Sequence, residues 1–172
     1  MNLPNRLTLL RIIMIPVFMV FLLMGMWKTA GVVFALASFT DYLDGQIARK
    51  RHLITNFGKF ADPLADKLLT ASAFLCLIEV ADLPSWIVFI IIAREFIVTG
   101  LRLIAVSEDG RVLPAGMAGK VKTASQMIGI LAILFFHITG FWMNLIMGIV
   151  AVLTLYSGCV YCIQNRDLLK VK

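Results

Sequence analysis

Ala30-Gly-Val-Val-Phe-Ala-Leu-Ala-Ser-Phe-Thr40 is a strongly apolar run that continues directly into Asp41-Tyr-Leu-Asp44-Gly45-Gln-Ile-Ala48-Arg49. At 1.5 Å per helical residue the apolar part covers about 16 Å, roughly half of a ~30 Å hydrocarbon layer. A helix that crosses such a layer must therefore run on through Asp41 and Asp44, which puts both carboxylates within the depth of the membrane. Downstream, Gly58-Lys-Phe-Ala-Asp62-Pro-Leu-Ala-Asp66 opens the next apolar stretch with the same feature. Charges at this depth are costly unless they face a wet or ion-filled cavity, so they mark a functional site.

The surrounding chain agrees with a membrane setting. Of its 172 residues 60% are hydrophobic, the mean hydropathy is +0.93, and the apolar residues fall in blocks approaching the roughly 20 that a crossing helix needs, not in alternating strands. The expected fold is an all-α integral membrane bundle of six transmembrane helices with a cytoplasm-facing polar cavity, one domain over residues 1–172. The spans fall at about 7–27, 30–49, 60–80, 84–106, 118–138 and 141–163, with polar or Gly/Pro punctuation at Lys28–Gly31, Arg49–Lys59, Ala81–Pro84, Ser107–Gly119 and Thr139–Asn144. Met1 to Ala30 superficially resembles a signal peptide, but Pro16 interrupts its apolar run and no clear cleavage pattern follows, so it reads as a retained first helix.

Fifteen of the sixteen basic residues lie at the N-terminus, in or near the second and fourth connections, or at the C-terminus, and only Lys28 falls on the other side. Both termini should be cytoplasmic. Trp27, Trp86 and Trp142 fall near the outer ends of their spans, as interfacial anchors do. Cys76, Cys159 and Cys162 sit in apolar stretches and read as small core hydrophobes; the Cys159/Cys162 pair has CxxC spacing but no redox or metal-site context around it. His52 and His137 are weak ligand candidates, one in a basic loop and the other near an outer end.

Asp41 and Asp44 are spaced i, i+3, and Asp62 and Asp66 i, i+4, so each pair projects from one face of its helix. Two neighbouring antiparallel helices can bring four carboxylates together. Their repulsion calls for protonation or bound cations, and hard oxygen ligands favour Mg²⁺, Mn²⁺ or Ca²⁺ over zinc. Gly45, Ala48 and Gly58 remove bulk beside these pairs, either for a close-approaching ligand or for helix packing. The pattern Asp41-x2-Asp44-Gly45-x2-Ala48-Arg49-x8-Gly58-x3-Asp62-x3-Asp66 matches the signature of the CDP-alcohol phosphatidyltransferases at every fixed position. Eight fixed residues at set spacing arise by chance at a given start with a probability on the order of 10⁻⁹.

The resemblance implies an enzyme of phospholipid biosynthesis that uses two metal ions, Mg²⁺ or Mn²⁺. Asp41, Asp44 and Asp62 would bind the ions; Asp66 would share the second and act as the base. Gly45, Ala48, Arg49, Thr55 and Gly58 would contact CDP-diacylglycerol. Pro4-Asn5-x-Leu7-Thr8-x-x-Arg11 resembles the segment that closes over the nucleotide, with Asn5 and Thr8 as its contacts; helix capping is the alternative for these two. Arg94, Arg102, Lys120 and Lys122 could line an anionic pocket for a phosphorylated acceptor, although they could equally be a positive-inside flank with an Arg94–Glu95 ion pair.

Ile92-Ala93-Arg94-Glu95-Phe96 and Gly100-Leu101-Arg102 resemble the bacterial phosphatidylglycerophosphate synthases within the family, which implies glycerol 3-phosphate as acceptor and a bacterial cytoplasmic membrane with the site facing the cytoplasm. Other acceptors of the same family, inositol phosphate or phosphatidylglycerol for cardiolipin, are the alternatives. A divalent-cation transporter is the reading from a different class, but no acidic cluster matches the four aspartates on the outer side. The family likeness also implies a homodimer among membrane lipids. No nucleic-acid partner is expected.

Overall fold

A computed structural model describes residues 3–50, 56–109 and 116–166, and within these the side-chain surroundings of all but 3–4, 42–50, 56–60, 62–63, 103–104 and 106–109. The described residues form helices throughout: α1 (Leu3–Leu23), α2 (Trp27–Lys50), α3 (Asn56–Ala81), α4 (Ser85–Asp109), α5 (Met117–Phe136) and α6 (Gly140–Gln164). No strand occurs among them.

The first connection lies at Met24–Met26, not at the expected Lys28–Gly31, and the reason is local. Gly25 has φ +76°; its N–H donates to the Leu22 carbonyl at 3.0 Å and the Met26 N–H to the Phe21 carbonyl at 2.9 Å. That pair of bonds is a Schellman cap, which closes α1 with apolar residues in the turn. Lys28 consequently sits in the first turn of α2. A related left-handed turn ends α5, where His137 takes φ 50° and the Ile138 N–H donates to the Ile133 carbonyl at 3.1 Å. Residues Gly140 to Asn144, expected as a connection, belong to α6. Pro16 lies inside a continuous α1, a tolerance common in membrane helices.

Among the described residues three helices are long and apolar enough to cross a membrane, at Asn5–Leu23, Met117–Phe136 and Gly140–Gln164. The outer surfaces carry large apolar side chains in helical register, including Ile13, Val17 and Val20 on α1, Phe89, Phe96 and Ile97 on α4, and Ile149, Val152 and Leu155 on α6. Buried polar residues include Asn5, Thr8, Arg11, Lys122, Gln126, Thr154 and Ser157. Exposed apolar side chains together with buried polar ones are the pattern that suits lipid as solvent.

The chain divides into two compact units. In the first, α1 packs against α2 and α3, while α2 and α3 touch sparingly. Phe18 and Phe34 meet at 5.5 Å between ring centroids, and Leu69, Ala73 and Leu77 complete the core from α3. The end of α5 joins this unit: a Cβ on Gly31 would stand 3.3 Å from the Leu134 Cβ. In the second unit α4 packs along α6, with Val98, Leu101 and Tyr161 forming a buried cluster against which Cys162 packs.

Trp86 and Trp142 are 60% and 65% exposed, as anchors should be. Trp27 is not: it is buried and stacks on His137 with centroids 4.2 Å apart. All three cysteines are free; Cys76 is buried as expected, but Cys159 is exposed because its position on α6 faces outward.

Candidate active site

On α1, Asn5, Thr8, Arg11, Ile15, Phe18 and Leu22 recur every three or four residues and are all buried. The stripe is polar in the first half of the helix and apolar in the second. Arg11 is wholly enclosed and its Nη1 lies 2.6 Å from Oδ1 of Asp41, whose side chain is 36% exposed. One of the four signature aspartates is thereby tied to the opening segment by an ion pair. Sequence reading quoted Arg11 without giving it a role; a charge inside an apolar span was the available signal. Asn5 and Thr8 lie inside α1, the third and sixth residues of its span, so Thr8 is not a helix cap.

Asp66, half-buried on α3, is anchored in regular helix, with the Thr70 hydroxyl donating to its backbone carbonyl at 3.2 Å. Asp44, Gly45, Ala48, Arg49, Thr55, Gly58 and Asp62 lie outside the described residues as far as their side-chain surroundings are concerned. Among the described residues no three His, Cys, Asp or Glu side chains converge as a metal-holding group.

Two groups of contacts hold basic side chains in the second unit, one around Arg94 and Lys122 and one around Arg102. Arg94 on α4 donates through Nη1 to Glu95 at 2.9 Å and through Nη2 to the Ser157 hydroxyl at 2.6 Å. Its Nε is buried with no acceptor among the described residues. Lys122 of α5, 3% exposed, reaches the same Glu95 oxygen at 2.5 Å. Arg102 donates through Nε to the Tyr161 hydroxyl at 3.2 Å, and its guanidinium carbon stands 5.4 Å from the centroid of that ring. Lys120 is exposed.

A cavity of about 20 Å³ opens beside Arg94, Arg102, Gly119, Ser157 and Tyr161. That is room for about one water molecule. The Arg94–Glu95 pair anticipated as an alternative is present, and Lys122 shares the same carboxylate oxygen, so two cations stand on one acid. Lys122 is an interior partner, not a solvated flank. Ser157 and Tyr161 were missed, although Thr154, Ser157 and Tyr161 follow one another at helical spacing as polar positions in an apolar span.

Residues 1–156 match the CDP-alcohol phosphatidyltransferase family. The chain is 41% identical, over 98% of its own length and 97% of the relative's, to the CDP-diacylglycerol–glycerol-3-phosphate 3-phosphatidyltransferase of Bacillus subtilis. It is 38% identical to the protein of the same name from Rickettsia felis, over 93% of each chain. A probable phosphatidylglycerophosphate synthase of Mycobacterium tuberculosis is 45% identical over 75% of this chain and 64% of its own. With the eight-residue signature carried on α2 and α3 and a family match that runs through both units, the chain belongs to the CDP-alcohol phosphatidyltransferase family.

Proposed function

We propose that the protein transfers the phosphatidyl group of CDP-diacylglycerol to sn-glycerol 3-phosphate, forming phosphatidylglycerol phosphate and CMP. The observation that carries this reading is the near full-length likeness to relatives named for that reaction. Two turns of sequence on α4, Ile92–Phe96 and Gly100–Arg102, point to the same acceptor, and the positive cluster around Arg94 supports a phosphorylated one.

The family is divalent-metal dependent. The donor set fits such an ion: positions 41, 44, 62 and 66 offer only carboxylate oxygen, the Asp41 side chain is a third exposed, and each pair is one helical turn apart on a continuous helix. Asp41, Asp44, Asp62 and Asp66 would hold two ions, Mg²⁺ or Mn²⁺, which when bound neutralise the diphosphate of the donor. The remaining work falls to the chain. Asn5, Thr8, Gly45, Ala48, Arg49, Thr55 and Gly58 bind the CDP portion, and Arg11 holds Asp41 in place. Arg94 and Arg102, with Lys120 and Lys122, draw in the acceptor phosphate. Asp66 accepts the proton of the acceptor's primary hydroxyl as its oxygen bonds to the phosphorus bearing the diacylglycerol. The bond from that phosphorus to the CMP oxygen breaks, and CMP leaves with the electron pair.

Residues 1–172 act as one family domain in this reading, and all six helices cross the membrane. At 1.5 Å per residue, α2, α3 and α4 are each more than 30 Å long, by about 5 Å or more. Both termini and the site face the cytoplasm, supported by the clustering of basic residues, and the family likeness supports a homodimer.

The test is a purified-protein assay offering CDP-diacylglycerol with each acceptor in turn. Glycerol 3-phosphate should release CMP and give phosphatidylglycerol phosphate, identified by mass; turnover with inositol phosphate or phosphatidylglycerol but not with glycerol 3-phosphate overturns the assignment. Metal flux into liposomes without CMP release would favour a transporter. Asp66→Asn should stay folded and lose about 10²- to 10⁴-fold in turnover, the usual worth of a positioned base.

A further inference from the structure

We infer that Ser157, Gly158 and Tyr161, near the C-terminal end of α6, are positioning residues that aim Arg94 and Arg102 at the acceptor phosphate and so help set acceptor affinity. The inference rests on the reading of these arginines given above. The three residues lie just past the segment matched to the family, which ends at residue 156.

Two long guanidinium side chains on α4 have many rotamers, and an anion gains from them only if they are held. α6 supplies the holding groups. The Ser157 hydroxyl accepts from Arg94 Nη2 at 2.6 Å, and the Tyr161 hydroxyl accepts from Arg102 Nε at 3.2 Å while its ring lies against the guanidinium. Both acceptors are neutral, so they orient the cations without discharging them. Glu95 does the opposite: it spends one carboxylate on Arg94 and Lys122 together. Gly158 makes room for the arginine stem, since a Cβ there would meet Arg94 Cγ at 3.0 Å and Nε at 3.8 Å. The same Nε is buried without an acceptor among the described residues, as expected of a donor kept for a ligand oxygen.

The experiment is steady-state kinetics of the full-length enzyme in detergent–lipid micelles, varying glycerol 3-phosphate and CDP-diacylglycerol separately. Ser157→Ala, Tyr161→Phe and Gly158→Ala should each raise KM for glycerol 3-phosphate roughly 5- to 20-fold, as expected for a lost or misaimed hydrogen bond to a charged group. KM for CDP-diacylglycerol and kcat should stay within about 2-fold of their starting values. Gly158→Ala separates aim from fold: the gain in helix propensity offsets part of the crowding against the Arg94 stem, so its Tm should shift by only a few degrees, by about 5 °C or less, while its acceptor KM worsens. If Arg94→Gln and Arg102→Gln raise the acceptor KM but the three α6 variants do not, the positioning role is overturned and the arginine assignment stands. If the arginine variants also leave that KM unchanged, both are overturned.

Discussion

Arg11 is a fully enclosed cation on a predominantly apolar helix, and Asp41 stands 2.6 Å from it. Removing one partner of a buried pair strands the other, which costs about 3–5 kcal/mol when both are buried. Asp41 is a third exposed, so water offsets part of that loss and about 1–3 kcal/mol is expected for Arg11→Leu. Thermal unfolding in detergent should show a Tm lowered by roughly 3–10 °C, with Arg11→Lys between the two. An unchanged Tm would mean that Asp41 needs no cation from α1. Arg94 differs in kind: its partners are a carboxylate shared with Lys122 and a neutral hydroxyl, an arrangement that retains positive charge for use.

At the level of helices, the turns make two predictions of opposite sign. Gly25 holds φ +76° and a Cβ there would meet nothing within 4 Å, so Gly25→Ala is destabilising through backbone strain alone, by about 1–2 kcal/mol. Asp82 closes α3 at φ 56° and is exposed, so Asp82→Gly should relieve strain and stabilise by up to about 1 kcal/mol. Differential unfolding of the two variants checks both; equal shifts would sink the argument. α5 ends on a left-handed residue too, but His137 also stacks on Trp27, and relief of strain there would be offset by the lost ring contact.

For the molecule as a whole, the proposed membrane orientation and the proposed carboxylate site each have a consequence. Chelation should abolish CMP release, and Mg²⁺ or Mn²⁺ should restore it; activity unaffected by chelator would remove the metal reading. In intact bacterial cells, Lys28→Cys should react with an impermeant maleimide from outside, whereas Lys120→Cys should react only after permeabilisation. Reversed labelling would invert the proposed orientation. The family match through both units explains why the signature of α2 and α3 and the basic residues of α4 were readable as parts of one enzyme.

The helical class, the number of long helices and the family were legible in the chain alone, because hydrocarbon thickness dictates helix length and the family signature is a set of fixed residues at fixed spacing. The pairing of the aspartates at helical spacing is a reading of the sequence, and of the four only Asp41 and Asp66 lie where the side-chain surroundings are described. Tertiary structure decided what periodicity cannot encode. Arg11 meets Asp41, and Ser157 and Tyr161 meet Arg94 and Arg102, across different helices at sequence separations of 30, 63 and 59. Trp27 turned inward for a similar reason, since a ring beyond the end of α5 was available to stack on it. The ends of α1 and α5 were displaced from expectation because each closes on a left-handed residue and a backbone bond spanning five residues, not on polarity. Apolar patterning tells a chain where lipid is; only the packed helices determine which polar groups find each other inside.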